Sequence, residues 1–209
     1  MKELVDLLKL YREIGVEYVR KLNVASRVDM LDSLKEQVEH CTLCELYRER
    51  KNAVFGEGND NAEIMFVGEA PGRDEDIQGR PFVGRAGKLL TELLEEIGLK
   101  REDVYIANCL KCRPPNNRDP KPDELTACFP YLKKQIEIIK PKVIGTLGRY
   151  STYVLTLQKG ALGTLRGRIF DYHGIKVLPM YHPAYLLRNP NAIEVFVNDL
   201  KRLKEMAYG

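Results

Sequence analysis

Short apolar runs alternate with helix-period segments along most of the chain after residue 60. The runs cover residues 64–67, 104–107, 143–147 and 175–178, and each ends at glycine, proline or a polar residue. Apolar runs of this length, bounded by turn-forming residues, are typical of buried strands, and strands that alternate with helices form mostly parallel sheets. The pattern therefore predicts the α/β class: a single domain with a central, mostly parallel four-stranded sheet flanked by helices, plus an N-terminal helical extension.

The segments between the predicted strands carry helix signals. An apolar stripe between residues 89 and 97 stops at Gly98, a residue type that commonly ends helices. Pro122 begins another predicted helix with an acidic first turn, and Pro141 lies just beyond its end. Pro190 begins the last predicted helix. In sheets of this kind, ligands bind at the loops that follow the carboxyl ends of the strands.

Residues 1–40 precede this pattern and predict two helices. Leucines and tyrosines recur near helical spacing up to residue 24, and Ser26 with Asp29 forms a capping-box pattern before the second helix. We therefore divide the chain into an N-terminal helical extension, residues 1–40, and an α/β domain, residues 41–209. The extension either packs on the domain as a helical hairpin or forms an arm that contacts a partner or DNA.

Composition narrows the class of protein. The chain has 209 residues, 30% of them charged, with a formal net charge of +3. This length can bury a sizeable core, and the near balance of charge argues only weakly for a polyanionic partner. No apolar run approaches the roughly 18 residues of a membrane span, and the first residues do not resemble a signal peptide. We expect a cytoplasmic protein with no membrane partner.

The chain has five cysteines, so they cannot all pair as disulfides. Cys41 and Cys44 have a two-residue gap, and fifteen residues separate Cys112 from Cys128. Four thiolates can hold Zn²⁺ or an iron–sulfur cluster, and the separated single cysteines favour the cluster. Cys109 is either a small buried residue or an alternative ligand. Redox catalysis is a further alternative, although a thioredoxin-type pair follows a strand, whereas the first pair here follows a predicted helix.

The loop after the first predicted strand has an unusual composition. Residues 68–87, GEAPGRDEDIQGRPFVGRAG, are rich in glycine and proline, which fix a distinctive backbone shape. The stretch lacks the spacing of nucleotide-binding loops. Glu69 either points into the crevice beside the sheet or caps a turn. Phe82 is either a plug on the core or a stacking surface for a base.

Two further polar side chains follow predicted strands. Asn108 offers a donor and an acceptor side by side, which matches the edge of a pyrimidine or an adenine. His182 is either a structural residue or a group that donates to a developing anion or acts as an acid or base. Because the carboxyl ends of parallel strands meet at one edge, we expect these loops to form one site.

Basic residues are concentrated in the same loops, which favours a phosphate-binding surface, although solvent-facing arginines are also common. They are Arg113, Arg118, Arg149, Arg166, Arg168 and Arg188. Residues 185–188, Tyr-Leu-Leu-Arg, are more specific, because an apolar tip beside a cation can wedge into a base stack while the cation binds a phosphate.

Three motifs and the cysteines together resemble one known family. The motifs are GEAPGRDEDIQGRPFVGRAGKLL from residue 68, NCLKCRPPNNRDP from residue 108 and HPAYLLR from residue 182, with cysteines at 41, 44, 112 and 128. This combination closely resembles the family 4 uracil-DNA glycosylases, which carry a [4Fe–4S] cluster. The resemblance extends from about residue 41 to the C-terminus. Glu69 favours family 4 over family 5, which lacks the acidic residue in the first motif.

The resemblance implies a DNA repair enzyme that flips uracil out of DNA, hydrolyses the N-glycosidic bond and leaves an abasic site. It implies catalytic roles for Glu69 and His182. Substrate-binding roles fall to Ala70, Glu75, Phe82 and Asn108, with Phe82 as the stacking face and Asn108 as the reader of the uracil edge. The implied cluster ligands are Cys41, Cys44, Cys112 and Cys128. From the basic loops and the apolar tip at residues 185–188, we expect DNA contacts from Arg113, Arg118, Arg166, Arg168, Leu187 and Arg188.

Two other functions stay open on the sequence alone. One is an iron–sulfur protein that binds nucleic acid or transfers electrons without this chemistry, and the other is a zinc-stabilised nucleic-acid module. The expected partner is uracil-containing DNA. We further expect a monomer, with unidentified repair or replication proteins as other partners.

Overall fold

The fold is built on one mixed sheet of six strands, and the structure, a computed structural model, describes Lys9 and residues 26–209. The strands are β1 (Glu57–Gly58), β2 (Ile64–Gly68), β3 (Tyr105–Asn108), β4 (Val143–Leu147), β5 (Phe170–Tyr172) and β6 (Ile175–Met180). Their spatial order is β1-β3-β2-β4-β6-β5. The first predicted helix of the N-terminal extension lies outside the described residues.

The four central strands, β3, β2, β4 and β6, are parallel, as the apolar runs predict. The prediction of four strands is wrong in number, because β1 and β5 add an antiparallel strand at each edge. Both edge strands are short and only partly buried, so neither has the continuous apolar run that identifies a central strand. The α/β class with a mostly parallel centre is confirmed.

Helices cover both faces of this sheet. They are α1 (Arg27–Glu39), α2 (Arg73–Gln78), α3 (Arg85–Glu96), α4 (Pro122–Ile139), α5 (Arg149–Thr156), α6 (Leu162–Leu165), α7 (Pro183–Leu186) and α8 (Ile193–Tyr208). Short 3₁₀ turns at Glu45–Arg48, Arg101–Asp103, Pro115–Asn117 and Pro190–Ala192 connect them. Within the part of the chain that the structure describes, no helix has the length and apolar character needed to cross a membrane.

Local signals place several helix ends where the sequence predicts them. Ser26 caps α1, and its hydroxyl and the Asp29 carboxylate bind each other's backbone N–H groups. Pro122 begins α4. Pro190 begins a 3₁₀ turn instead of the last helix, which starts three residues later at Ile193. Helix ends set by side-chain caps depend on few residues, so they are readable from the sequence.

The core lies in two layers, one on each face of the sheet. Helices α3 and α8 cover one face, where Leu94 and Phe196 are fully buried against the same cluster as Phe66. Helices α1 and α4 cover the other face, where Leu34 and Val38 pack in one cluster with residues of α4 and the sheet. Residues 26–40 of the N-terminal extension therefore pack on the domain. The boundary at residue 40 stays a prediction.

The strand ends place the functional loops side by side. Gly68 at the end of β2 pairs with Asn108 at the end of β3, and Leu147 of β4 pairs with Met180 of β6. Because these four ends are in register, the loops that follow them open at the same edge of the sheet. That edge is the place where parallel sheets bind ligands.

Candidate active site and cysteine cavity

A cleft opens at this edge and brings together most of the predicted site residues. Its lining includes Glu69, Ala70, Glu75, Phe82, Asn108, Arg118, His182, Leu187 and Arg188. The loops after β2, β3 and β6 each supply part of this lining. The sequence-based expectation that these loops meet in one site is therefore met by the geometry.

Phe82 has a backbone conformation that non-glycine residues rarely adopt, with φ of 51°. Two glycines allow it. A Cβ at Gly87 would lie 1.9 Å from the Phe82 carbonyl oxygen, and a Cβ at Gly68 would lie 2.6 Å from the Phe82 ring. The ring itself lies beside His182, with centroids 5.6 Å apart. These contacts hold the Phe82 ring as a wall of the cleft.

Glu75 shapes the same loop from within. Its carboxylate accepts backbone N–H groups from Gly72 at 3.1 Å and from Val83 and Gly84 at 2.9 Å each. A carboxylate that accepts several backbone N–H groups is a strong local anchor. Glu75 therefore sets the backbone on both sides of α2 and fixes the position of the residue next to Phe82.

Asn108 carries the most informative polar atom of the cleft. The residue is 2% exposed, and its side-chain Oδ1 has no hydrogen-bond partner among the described residues. A buried acceptor without a partner costs about 1–3 kcal/mol, so such atoms are rare unless a ligand satisfies them. The atom lies next to the Phe82 ring, since a Cβ at Gly68 would approach both. The site thus holds one acceptor beside one flat aromatic surface.

His182 is held in a defined tautomer. Its Nδ1 accepts the backbone N–H of Ala184 at 3.1 Å, at the start of α7. A backbone N–H can only donate, so the proton of the neutral ring must lie on Nε2. Burial lowers the pKa of His182 to about 4, a shift that the Glu75 carboxylate opposes and Arg188 supports. His182 is therefore a neutral Nε2–H donor at physiological pH.

Glu69 lies at the end of β2 with an altered acidity. Burial raises the pKa of Glu69 to about 7, Asp119 adds to this shift, and Arg149 opposes it. Asp119 and Arg149 form an ion pair of 2.5 Å beside it, between the loop before α4 and the start of α5. Glu69 is therefore a carboxyl group whose charge changes near neutral pH.

The predicted DNA-contacting residues divide into two groups. Leu187 and Arg188 are exposed at the rim of the cleft, and Arg118 lines it while its guanidinium also binds the buried Glu124 carboxylate at 2.5 and 2.9 Å. The cleft lining does not include the remaining three, Arg113, Arg166 and Arg168.

Each arginine of this second group has a nearby partner in the fold. Arg166 binds both oxygens of Asp199 at 2.8 and 2.9 Å. Arg113 donates to the Asn117 side chain at 2.7 Å, and Arg168 lies over the Phe170 ring. Their role as DNA contacts stays a prediction.

Several residues of the site were not singled out by sequence reasoning. Asn117 and Tyr181 line the cleft, and Asp119 acts on the acidity of Glu69. Asn117 and Asp119 lie within the recognised stretch NCLKCRPPNNRDP, and Tyr181 directly precedes the HPAYLLR motif. The motifs therefore indicate the segments in which these residues lie, but only the fold shows which side chains face the cleft.

A second cavity is lined by four of the five cysteines. Cys41, Cys44, Cys112 and Cys128 line it together with largely apolar side chains from the 3₁₀ turn at Glu45–Arg48 and from α4. Cys109 does not line this cavity and is buried in the core layer beneath α1 and α4. The structure therefore separates Cys109 from the other four. Within the described ranges, no group of three or more His, Cys, Asp or Glu side chains has the arrangement of a single metal-ion site.

Hydrogen-bond donors point at the cysteine sulfurs. Arg50 donates to the Cys112 sulfur at 3.1 Å, and the Lys111 backbone N–H donates to the Cys128 sulfur at 3.2 Å. Donors of this kind stabilise negative charge on sulfur, as they do around thiolate ligands. Two of the four sulfurs that line the cavity therefore accept hydrogen bonds from the protein.

A buried lysine links the cysteine cavity to the active-site cleft. The Lys111 ammonium donates to the carbonyls of Phe55 and Asn108 at 3.0 and 2.9 Å and to the Gln135 side chain at 2.6 Å. All three ammonium donors therefore have a partner, which offsets the cost of burying the charge. This network ties the loop that precedes Cys112 to the end of β3.

Comparison with known proteins identifies relatives along most of the chain. The family model of the uracil DNA glycosylase superfamily matches residues 55–204. A type-4 uracil-DNA glycosylase of Saccharolobus solfataricus is 53% identical over 85% of this chain and 87% of its own length. Type-4 uracil-DNA glycosylases of Sulfurisphaera tokodaii and Archaeoglobus fulgidus are 51% and 46% identical, each over 86% of this chain and over 86% and 94% of their own lengths.

Proposed function

Because this chain belongs to the uracil DNA glycosylase superfamily and, within it, to the type-4 uracil-DNA glycosylases, we propose that it excises uracil from DNA. The reaction is hydrolysis of the N-glycosidic bond, which releases free uracil and leaves an abasic site. The observation in the site that carries this proposal is the buried, unpartnered Oδ1 of Asn108 beside the Phe82 ring. A flipped uracil supplies an N–H donor for that oxygen and a flat face for that ring.

Binding begins with extrusion of the base, because the N-glycosidic bond is inaccessible inside a duplex. In this proposal the uracil stacks on Phe82, and Asn108 accepts the uracil N3–H and donates to its O4. The cleft wall at Ala70 and the loop that Glu75 anchors together enclose the base. Leu187 and Arg188 at the rim contact the strand, the leucine as an apolar wedge and the arginine at a phosphate.

His182 stabilises the leaving uracil. As the bond between C1′ and N1 breaks, negative charge builds on the uracil ring and positive charge builds on the sugar. A neutral imidazole with its proton on Nε2 donates a hydrogen bond to the uracil O2 as this charge develops. The accepting contact at Nδ1 keeps that tautomer throughout the reaction.

Glu69 acts on the other side of the broken bond. As a carboxylate it stabilises the positive sugar and orients the attacking water. This role requires the charged form, and the pKa of Glu69, raised to about 7 by burial, makes the charged fraction depend on pH in the neutral range.

The rate of uracil release should therefore fall as the pH decreases through about 7, because Glu69 becomes protonated there. We expect roughly a tenfold loss for each pH unit well below this midpoint. Single-turnover cleavage of a uracil-containing single strand between pH 5 and 9 measures the profile.

Two variants test the assignment of this acid limb to Glu69. Glu69→Gln should be slow and lack this acid limb. Asp119→Asn should shift the limb to lower pH, since Asp119 contributes to the raised pKa. An unchanged limb in Glu69→Gln would assign it to another group.

We further propose a [4Fe–4S] cluster held by Cys41, Cys44, Cys112 and Cys128. The four sulfurs share one cavity, and two of them accept hydrogen bonds from Arg50 and the Lys111 backbone. When bound, the cluster supplies a thiolate-linked cross-link between the segment after α1, the loop before Arg113 and helix α4. The chain's own residues then position the loop between Cys112 and Cys128, which carries Arg118 at the cleft.

Cys112→Ser should lose most of the iron and the broad absorption near 400 nm, while the matched Cys109→Ala should keep both. Cys109 lies outside the cavity, so its substitution tests a buried cysteine without touching the ligand set. Iron analysis and absorption of anaerobically purified protein measure the result. Equal cluster loss in both variants, or stoichiometric zinc in the parent protein, would contradict the ligand assignment.

The activity itself is tested with a labelled oligonucleotide that contains one deoxyuridine and is heated in alkali to break abasic sites. We expect strand breakage confined to the uracil position and none in a thymidine control. An intact uracil strand with cluster-replete protein would instead favour a DNA-binding iron–sulfur protein. The proposal further includes action as a monomer, in the cytoplasm, on DNA that other repair proteins then process.

A further inference from the structure

Two charged side chains hold the backbone around Phe82. The Glu75 carboxylate accepts the N–H groups of Val83 and Gly84. The Arg101 guanidinium donates to the carbonyl oxygens of Pro81 and Phe82, the latter at 3.1 Å. Four consecutive residues are thus fixed by one acid and one base. Arg101 lies in the 3₁₀ turn before β3, outside the three motifs that resemble the family.

Arg101 is itself oriented by the edge of the sheet. Its Nε donates to the Glu57 carboxylate of β1 at 2.9 Å, and its side chain is 20% exposed. Burial alone would raise the pKa of Glu57, but hydrogen bonds from Arg80 and Arg101 hold it below its usual value, so the carboxylate stays charged. A planar guanidinium can bind one carboxylate and two carbonyls at once, which a lysine ammonium cannot match in geometry.

We propose that Arg101 is a positioning residue: it holds the Phe82 ring in place to stack on the flipped uracil. This inference rests on the proposed function. The reason is the left-handed conformation of Phe82, whose φ of 51° is unfavourable for a residue with a side chain. Such a conformation persists only where the surroundings over-determine it. Arg101 supplies that restraint, because it binds both the Pro81 carbonyl, which precedes Phe82, and the carbonyl of Phe82 itself. Glu57 in turn orients the Arg101 guanidinium.

Arg80 offers a matched control. It binds the same Glu57 carboxylate at 2.8 and 3.1 Å, but its side chain is 59% exposed, and no described hydrogen bond joins it to the Phe82 backbone. Arg101→Met and Arg80→Met therefore each remove one positive charge and one partner of Glu57. Only the first also releases the two carbonyls.

We expect Arg101→Met to lower kcat/KM on uracil-containing single strands by roughly 10- to 100-fold and to weaken inhibition by free uracil by a similar factor. Arg80→Met should stay within about threefold of the parent protein in both measurements. Equal effects of the two substitutions would overturn the inference, since the carbonyl contacts would then carry no specific role.

A double-mutant cycle separates positioning from a general effect on folding. In a Phe82→Ala background the ring is absent, so Arg101→Met should cost less than about threefold in kcat/KM. The same loss in both backgrounds would show that Arg101 does not act through Phe82. Arg101→Lys provides a second variant if Arg101→Met does not fold, with an intermediate loss expected because it keeps the charge but not the fork.

A spectroscopic measurement keeps this test independent of activity. The chain contains no tryptophan, so Phe82→Trp introduces a single indole at the stacking position. Adding Arg101→Met should shift its emission to longer wavelength and lower its anisotropy, whereas adding Arg80→Met should change neither. If the parent protein releases no uracil, the proposed function fails, and the emission comparison still decides whether Arg101 holds this position.

Discussion

Replacement of His182 by alanine should lower the single-turnover rate of uracil release by roughly 10²- to 10³-fold, or about 2.7–4 kcal/mol of transition-state stabilisation. The reason is the geometry of the imidazole. Its Nδ1 is occupied by the Ala184 N–H, so Nε2–H is available to the developing charge on uracil. Because burial lowers the pKa of His182 to about 4, the donor is neutral and needs no protonation step near pH 7.

His182→Asn separates this donor from the structural cap. An asparagine at position 182, the N-cap of α7, can still accept the Ala184 N–H, which preserves the helix start, but its amide is too short to reach where Nε2 lies. We expect the asparagine and alanine substitutions to lower the single-turnover rate by similar factors and to leave binding to abasic-site DNA nearly unchanged. A variant that keeps the cap and recovers most of the rate would assign His182 a structural role. The parent protein should show no rate change from histidine titration between pH 5 and 9.

Asn108→Ala should lower kcat/KM for uracil by roughly 10³-fold without loss of stability. A site built around a hydrogen bond to the base discriminates strongly when that bond is lost. In the free protein, however, the Asn108 Oδ1 is buried and unpartnered among the described residues, so its removal relieves an unfavourable burial. We expect the free energy of unfolding to stay constant or to rise by about 1 kcal/mol.

This opposite response of activity and stability distinguishes a recognition residue from a core residue. Thermal unfolding and single-turnover cleavage of the same preparation measure both quantities. Asn108→Asp serves as the matched control, because it keeps the size and the acceptor but cannot donate to the uracil O4, and it should be as inactive as the alanine variant. A loss of several kcal/mol of stability in Asn108→Ala would show that the side chain supports the fold instead of the ligand.

The sequence predicts the centre of the fold more completely than its edges. The apolar runs of β2, β3 and β4 are buried throughout, and β6 is buried from Val177 onwards, so the pattern alone identifies these four strands. The edge strands β1 and β5 are two and three residues long and are partly exposed. Their existence depends on pairing with β3 and β6, which is a property of the assembled sheet.

The candidate site shows the same division. Glu69, Phe82, Asn108 and His182 lie at or just after strand ends or in a glycine-rich loop, and parallel strand ends bring such loops together. By contrast, Arg113, Arg166 and Arg168 were predicted from charge alone. Charge in a loop does not indicate direction: these side chains do not line the cleft and each has a nearby partner, so their role as DNA contacts stays a prediction.

By itself, the sequence determined the four central strands, the Ser26 cap of α1, the Pro122 start of α4 and the loops that carry the candidate site residues. These features depend on neighbours close in the chain or on the periodicity of burial. Only the tertiary structure decided that Arg101 holds the Phe82 loop, that four cysteines share one cavity without Cys109, and that Glu69 and His182 have altered acidities. Burial and contacts between distant segments produce these properties, and both arise only when the chain is folded.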